Sequence, residues 1–162
     1  ATTGAVTTRM SSGMPDSTGL SISDVATATS ITLAADTISV INYTGAAAAT
    51  CTLPAATQGT IVVYAQAVDT TGGTATLVFD AAGSDVWATG SVIESRGSSE
   101  VTFDTSAASE TKLTFTPANA ATNLLTLGGQ IAFICYEKGT WHIASSLARE
   151  TTQTTGAFVF AA

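Results

Sequence analysis

The chain has 162 residues and a mass of 16.2 kDa, enough for one domain with a real core. Only 10% of its residues are charged, against roughly 25% in an ordinary soluble domain, while 31 Thr and 29 Ala fill more than a third of the positions. The net charge is −7, and the five basic residues Arg9, Arg96, Lys112, Lys138 and Arg149 are scattered. That pattern excludes the clustered Lys and Arg of a direct nucleic-acid partner. No apolar run approaches the roughly 18 residues that span a bilayer, so no membrane is expected either.

A monomer of this mass exposes roughly 7,400 Å², which leaves about one charge per 440 Å². Such a surface is poorly protected against association. The composition therefore points to a chain covered by other chains; the alternative is an extracellular Thr-rich domain kept soluble by hydroxyls. Two cysteines, Cys51 and Cys135, sit in apolar runs and read as buried free thiols. The opening ATTGAVTTRMSSGMPDS lacks a signal-peptide layout: either a signal was already removed or, as expected here, the chain is made in the cytoplasm and lost its initiator Met before Ala1.

In chain order, residues 1–29 are Thr, Ser, Ala, Gly and Asp without helical periodicity, and read as an extended arm. From residue 30, short β-branched and aromatic runs alternate with turn chemistry: SITL, TISVINY, TCTL, TIVVYAQAV, TATLVF, VWATGSVIES, EVTF, TKLTFT, LLTL, QIAFICY, WHIAS and AFVF. Punctuation falls at Gly45, Pro54 to Gly59, Gly72-Gly73, Gly83-Ser84-Asp85, Gly97, Pro117, Gly128-Gly129 and Lys138-Gly139. These runs predict an all-β domain over 30–147, a single antiparallel sandwich or barrel of jelly-roll type. Residues 148–162 form a tail whose AFVF is expected to pair, in its own sheet or a neighbour's. In IVVYAQAV and IAFICY both strand faces are mainly apolar, which predicts central strands covered on both sides. Gly59-Thr60-Ile61 and Gly129-Gln130-Ile131 open these two strands in the same way, as if they shared one job.

The chemically richest stretch is GGQIAFICYEKGTWHIASS, with the only His of the chain. A two-residue turn at Lys138-Gly139 would face Cys135 with His142; a bulged turn would face His142 with Ile134 instead. Neither register supplies the helix N-terminus that usually lowers a catalytic thiol's pKa. The G-x-S-x-G elbow, a D-x-D-x-D-G loop, a phosphate-binding Gly-rich loop and a full zinc ligand set are all missing from the sequence. Glu94, Glu100 and Glu110 could supply a glycosidase carboxylate pair, but so could those of any acidic β protein. Asp80 and Asp85 flank AAGS as turn formers, and Asn42-Tyr43-Thr44 fits a glycosylation sequon that matters only in a eukaryotic secretory setting. The expectation is a non-enzyme without metal or cofactor. Trp87, Trp141, Phe158, Val159 and Phe160 are the candidate interface residues; for the two Trp, a place in the core or a sugar-stacking platform are the other roles considered.

The segments ITLAADTISVINYTG, ATCTLPAATQGTIVVYAQ and GGQIAFICYEKGTWHIAS, in that order over residues 31–146, resemble a β-module of tailed-bacteriophage virion proteins. The matching motifs are Thr52-Leu53-Pro54-Ala55-Ala56 with Gly59, and Gly139-Thr140-Trp141; Glu137-Lys138 stands where the pattern more often has Asp or Asn. The module is found in small capsid decoration (cement) proteins, which the chain resembles most, and in head or tail fibre domains. The resemblance implies a sandwich or barrel that assembles, often as a trimer, on a virion surface. Its partners would be the major capsid protein lattice and copies of itself, with the arm ordering on docking and the shell reinforced against internal DNA pressure. On that reading, removal of 1–29 or 156–162 should abolish capsid binding and spare the fold. A carbohydrate-binding adhesin or fibre domain using Trp87 or Trp141 is the alternative.

Overall fold

The computed structural model describes residues 21–25, 29–70, 75–96, 101–116, 127–149 and 158–162. These residues carry thirteen strands and no helix. The domain is all-β, as the alternation of apolar runs and turn residues predicts.

The strands are β1 (Ser21–Val25), β2 (Ser30–Thr32), β3 (Thr37–Ile41), β4 (Ala49–Thr52), β5 (Ile61–Gln66), β6 (Leu77–Asp80), β7 (Val86–Trp87), β8 (Val92–Arg96), β9 (Val101–Thr105), β10 (Lys112–Phe115), β11 (Gln130–Glu137), β12 (Thr140–Arg149) and β13 (Phe158–Ala161). They form two sheets. The larger runs β1-β3-β5-β11-β12-β8-β9, with β7 also on β12; the smaller runs β13-β10-β6-β4-β2.

The first six strands alternate between the sheets, so each odd strand pairs with the odd strand before it and each even strand with its even predecessor. A chain that visits the opposite sheet before returning comes back in the same direction, and its ladders are therefore parallel. The antiparallel pairing expected throughout holds for β5-β11-β12, β8-β9 and β6-β10-β13, and gives way to parallel pairing in β1-β3-β5, β2-β4-β6 and along β12 with β7 and β8. Turn residues such as Gly45 and Pro54 to Gly59 serve an arch between sheets as well as a hairpin, which is why they did not separate the two.

Among the expected elements, VWATGSVIES divides into β7 and β8 around a turn at Thr89-Gly90. Most of LLTL lies outside the described residues, and Leu127 begins a turn. The arm ends in β1, which pairs with β3; residues 1–20 and 26–28 lie outside the description. The AFVF tail supplies β13, paired with β10 of its own chain.

One core fills the space between the sheets. An aromatic series crosses it: Tyr64 to Phe79 at 5.0 Å, Phe79 to Phe133 at 5.3 Å, Phe133 to Trp87 at 5.4 Å and Trp87 to Phe160 at 5.8 Å. It runs from β5 to β6, back to β11 and β7, and on to β13, so it ties both sheets together. Each such ring contributes about 1.5–3 kcal/mol by leaving water. A buried polar knot sits beside it. Tyr64 Oη donates to Gln66 Oε1, and Gln66 Nε2 donates to Tyr43 O at 2.7 Å and Val68 O at 2.6 Å. The Gln66 amide thus has partners for both its oxygen and its nitrogen, as burial demands.

Candidate functional site

The closing hairpin settles the register of the reactive residues. Glu137 pairs with Thr140 across Lys138-Gly139, and Ile134 pairs with His142. Between these pairs Cys135 and Tyr136 oppose Trp141 alone, a β-bulge with two residues against one. The turn is the two-residue one, yet the bulge still delivers His142 to Ile134. Cys135 and Trp141 are fully buried, whereas His142, the next residue after Trp141, lies on the opposite face. There its ring meets Tyr136 edge-on at 4.9 Å. Thiol and imidazole are therefore on different sides of the sheet. Burial pushes the Cys135 thiol up, and its Sγ donates to Glu137 O at 3.1 Å, both features of an inert thiol. Cys51 is buried as well, and desolvation raises its pKa to about 12.

The two motifs of the sequence resemblance meet in space. Gly139 N–H donates to Ala56 O at 3.0 Å, and Gly59 N–H donates to Cys135 O at 2.8 Å. Asp85 joins them: its Oδ2 accepts from Ala56 N–H at 2.6 Å, while Val86 N–H donates to Gly139 O at 3.0 Å. Asp85 is thus more than a turn former; it clamps the Pro54-Ala55-Ala56 loop to the hairpin. These motif residues fasten the end of the sandwich.

Four of the five candidate interface residues belong to the core. Trp87 and Trp141 are 1% and 0% exposed and lie side by side in a parallel register, and Phe158 and Phe160 are buried on β13. Phe158 packs on Phe115 at 5.1 Å. Neither indole N–H finds a hydrogen-bond partner among the described residues, and neither ring offers a face to a sugar. Only Val159, on the other side of β13, is exposed. Strand alternation in AFVF carried this signal: inward Phe, outward Val.

Other candidates disperse. Glu110 accepts from Ala107 N–H at 2.6 Å, Glu94 lies on β8, and Glu100 is outside the described residues. Among the described residues, no three His, Cys, Asp or Glu side chains come together as a metal site. A cleft of about 260 Å³ opens where β2, β3 and β4 end, lined by Ile31, Ile41, Tyr43 and Ala49 with Asn42 and Thr44. It holds no charged group. The sequon residue Asn42 is half-buried there.

The two outer faces differ sharply. Across the smaller sheet one outward row reads Ser30, Thr50, Val78, Thr114, Val159, and the next reads Thr32, Thr52, Asp80, Lys112, Ala161. Hydroxyls and an Asp–Lys juxtaposition suit it to water. Across β3, β5 and β11 of the larger sheet the outward rows read Val40, Ala65, Gln130 and Ile38, Val63, Ala132, followed by Ile61, Ile134 and His142 on β5, β11 and β12. Apart from exposed Gln130, these side chains are half-buried. The second face of IVVYAQ is therefore only partly covered by the chain itself.

In β3 the usual orientation is reversed. Thr37 and Ser39 point inward, 3% and 2% exposed, while Ile38 and Val40 point outward. A one-residue slip would bury Ile38 and Val40 and expose Ile41, which lies in the core on the same side as Thr37 and Ser39. The fold instead holds Thr37 Oγ1 inside as a donor to Ala35 O at 2.9 Å and presents the Ile and Val. This inversion went unread in the sequence, although TISVI carries it. No family model, curated protein or solved structure matches the chain.

Proposed function

We propose that this chain is a structural protein of a tailed-phage virion, a decoration (cement) subunit that binds the outer surface of the head lattice and strengthens it. The observation that carries this reading is the contrast between the uncharged, mainly apolar outward rows of β3, β5 and β11 and the largely hydroxylated outer face of the smaller sheet. A face of branched side chains is of little use to a solitary sandwich and of direct use to an assembling one. The resemblance supplies the setting, and its motif residues join in one hydrogen-bonded lock between loop and hairpin. With charge so sparse, each contact is weak; many copies on one lattice make occupancy strong in sum. On this reading the subunit is made in the host cytoplasm and works on the capsid surface, in contact with the major capsid protein and with its own copies.

The sugar-binding alternative loses its two residues, because stacking needs an exposed ring face and Trp87 and Trp141 have none. The test is cosedimentation of the full chain with purified heads of the phage that encodes it. Saturable binding and greater resistance of the heads to heating are expected. Heads that leave the chain in the supernatant at every concentration refute the proposal.

A further inference from the structure

We infer that the outer edge of β2 is a docking site for the chain's own arm, residues 5–10 of which add one more strand to the smaller sheet, parallel to β2. The inference goes beyond the virion reading and does not depend on it.

Strands β1 to β6 are three copies of one unit: a strand in the larger sheet, an arch, and a strand in the smaller sheet. The copies stack in register, with Ser21 beside Thr37 beside Val62, and Ile31 beside Cys51 beside Phe79. The sequence repeats with them, SISDV answering TISVI and SITL answering TCTL. Each stacked unit is completed by its neighbour, so the last one in a stack has a side left over.

That side is the outer edge of β2, beyond which no described strand follows in the smaller sheet. Thr50 N–H donates to Thr29 O at 3.0 Å and Leu33 N–H to Thr52 O at 2.9 Å, so residues 29 and 33 address β4. By the alternation of a parallel ladder, the N–H and C=O groups of Ser30 and Thr32 address the outer edge. The cleft of about 260 Å³ lies against the same strand, with Ile31 in its wall. An apolar cavity of about 150 Å³ holds a benzene, so this one has room for an aliphatic side chain.

Chain order says which segment belongs there. The first six strands alternate between the sheets, so a strand preceding β1 falls in the smaller sheet, next to β2. Returns from the smaller to the larger sheet span 33–36 and 53–60, the second of them with Pro54 and Gly59. The arm divides in the same way. Residues 11–20 carry Gly13, Pro15 and Gly19, the turn chemistry of such an arch. Residues 5–10 alternate, Val6, Thr8 and Met10 on one side and Thr7 and Arg9 on the other. Set beside β2, the first group continues the inward series of Ile31 and Leu33, and the second continues the hydroxylated outward rows. A short tether holds the arm at an effective concentration of about millimolar, which favours it over the arm of another copy. The resemblance has the arm order on docking to a capsid; here it orders on its own domain.

Amide hydrogen exchange of the full chain alone tests the inference. The amides of Ser30 and Thr32 are expected to exchange at least about tenfold more slowly in the full chain than in one lacking 1–20, with those of β5 and β11 unchanged. Val6→Asp in the full chain should free the same two amides, whereas Ser17→Asp, in the arch, should leave them slow; this pair decides if the shortened chain does not fold. Rates should agree at about 5 and about 100 μM. Equal exchange with and without the arm, full protection in Val6→Asp, or loss of protection in Ser17→Asp would each overturn the inference. Protection that fades on dilution identifies a neighbour's arm, and protection that arises only with phage heads identifies the capsid; either overturns the chain's own arm as occupant. Slow amides in a chain that never binds heads support the inference while the virion reading fails, and fast amides in a chain that does bind them reverse that outcome.

Discussion

Gly139 offers the sharpest test of how the closing hairpin is held. Its φ is +83°, in the region that a side chain disfavours, and a Cβ built there would have Asp85 Oδ1 as its nearest neighbour at 3.8 Å. That distance is ordinary van der Waals contact, so Gly139→Ala introduces no clash. The cost must come from the backbone conformation alone, about 1–2 kcal/mol for a left-handed residue, reduced by the entropy that Ala removes from the unfolded chain, about 0.4–1 kcal/mol. A net loss near 1 kcal/mol is expected, or about 2–4 °C in Tm for a chain of this size. Gly139→Asn should lose less than Ala, because Asn enters this region several-fold more readily. Gly139→Val should lose more, since branching at Cβ worsens the strain. Urea unfolding followed by Trp fluorescence reads all three, with buried Trp141 two residues away as the reporter. An Ala variant as stable as the parent would refute the positive φ. An Asn variant worse than Ala would refute the dihedral explanation in favour of a steric one.

Asp85→Ala should cost about 1–3 kcal/mol in the same assay, because it strands the N–H of buried Ala56; Asp85→Asn, which keeps an acceptor, should cost less. Phe160→Ala should cost about 3–5 kcal/mol, since the ring is buried against Trp87. Deleting 158–162 should therefore unfold the domain rather than merely release it from a capsid, the opposite of the expectation that removing 156–162 spares the fold. A well-folded truncation would show that β13 is dispensable. Stability should also decline in alkali. Burial raises the thiol of Cys51 from 9.0 and the phenol of Tyr43 from 10.0, each to about 12, so the folded protein holds those protons longer than the unfolded chain. Their contribution is complete below about pH 9 and is lost as pH rises from there through about 12, with a slope of up to about 1.4 kcal/mol per pH unit per group. Cys51→Ala should flatten the fall that begins near pH 9; an unchanged profile would count against a buried protonated thiol.

The strand content was legible because β-branched runs and turn residues report local geometry directly. The sheet assignment was not, since the arch from β4 to β5 and a hairpin turn use the same Pro, Ala and Gly. Pairing of β13 was legible from its apolar run, and burial of Phe158 and Phe160 from its alternation, but nothing in the sequence decides between its own sheet and a neighbour's, so both Phe stood as interface candidates. The echo between TIVVYAQ and QIAFICY proved informative: β5 and β11 are adjacent at the centre of the larger sheet, with Ile61 opposite Ile134. His142 and Cys135 could not be placed from spacing alone, because a bulge after Ile134 changes which residue faces which without changing the turn. The apolar outer face was half visible. Two apolar sides of IVVYAQ announced a second covered surface, but only the register of β3 shows that the outward side takes the Ile and Val.

The alternating order of β1 to β6 bears on what happens during synthesis. Each strand from β3 to β6 pairs with one already made, so the stack can grow as the chain emerges, up to Asp80. Two edges wait: β6 for β10, which begins at Lys112, and for longer β5, whose second partner, β11, begins at Gln130. At about 5–20 residues per second, a nascent chain leaves the β5 edge open for roughly 3–13 s. An apolar strand with an unpaired backbone is a template for intermolecular pairing throughout that interval. Ribosome-released chains ending near residue 100 should accordingly aggregate, and Val63→Lys should keep them soluble; soluble parent fragments would show that the edge is shielded in another way. The strand that holds the finished sheet together at its centre is also the one on which its yield depends.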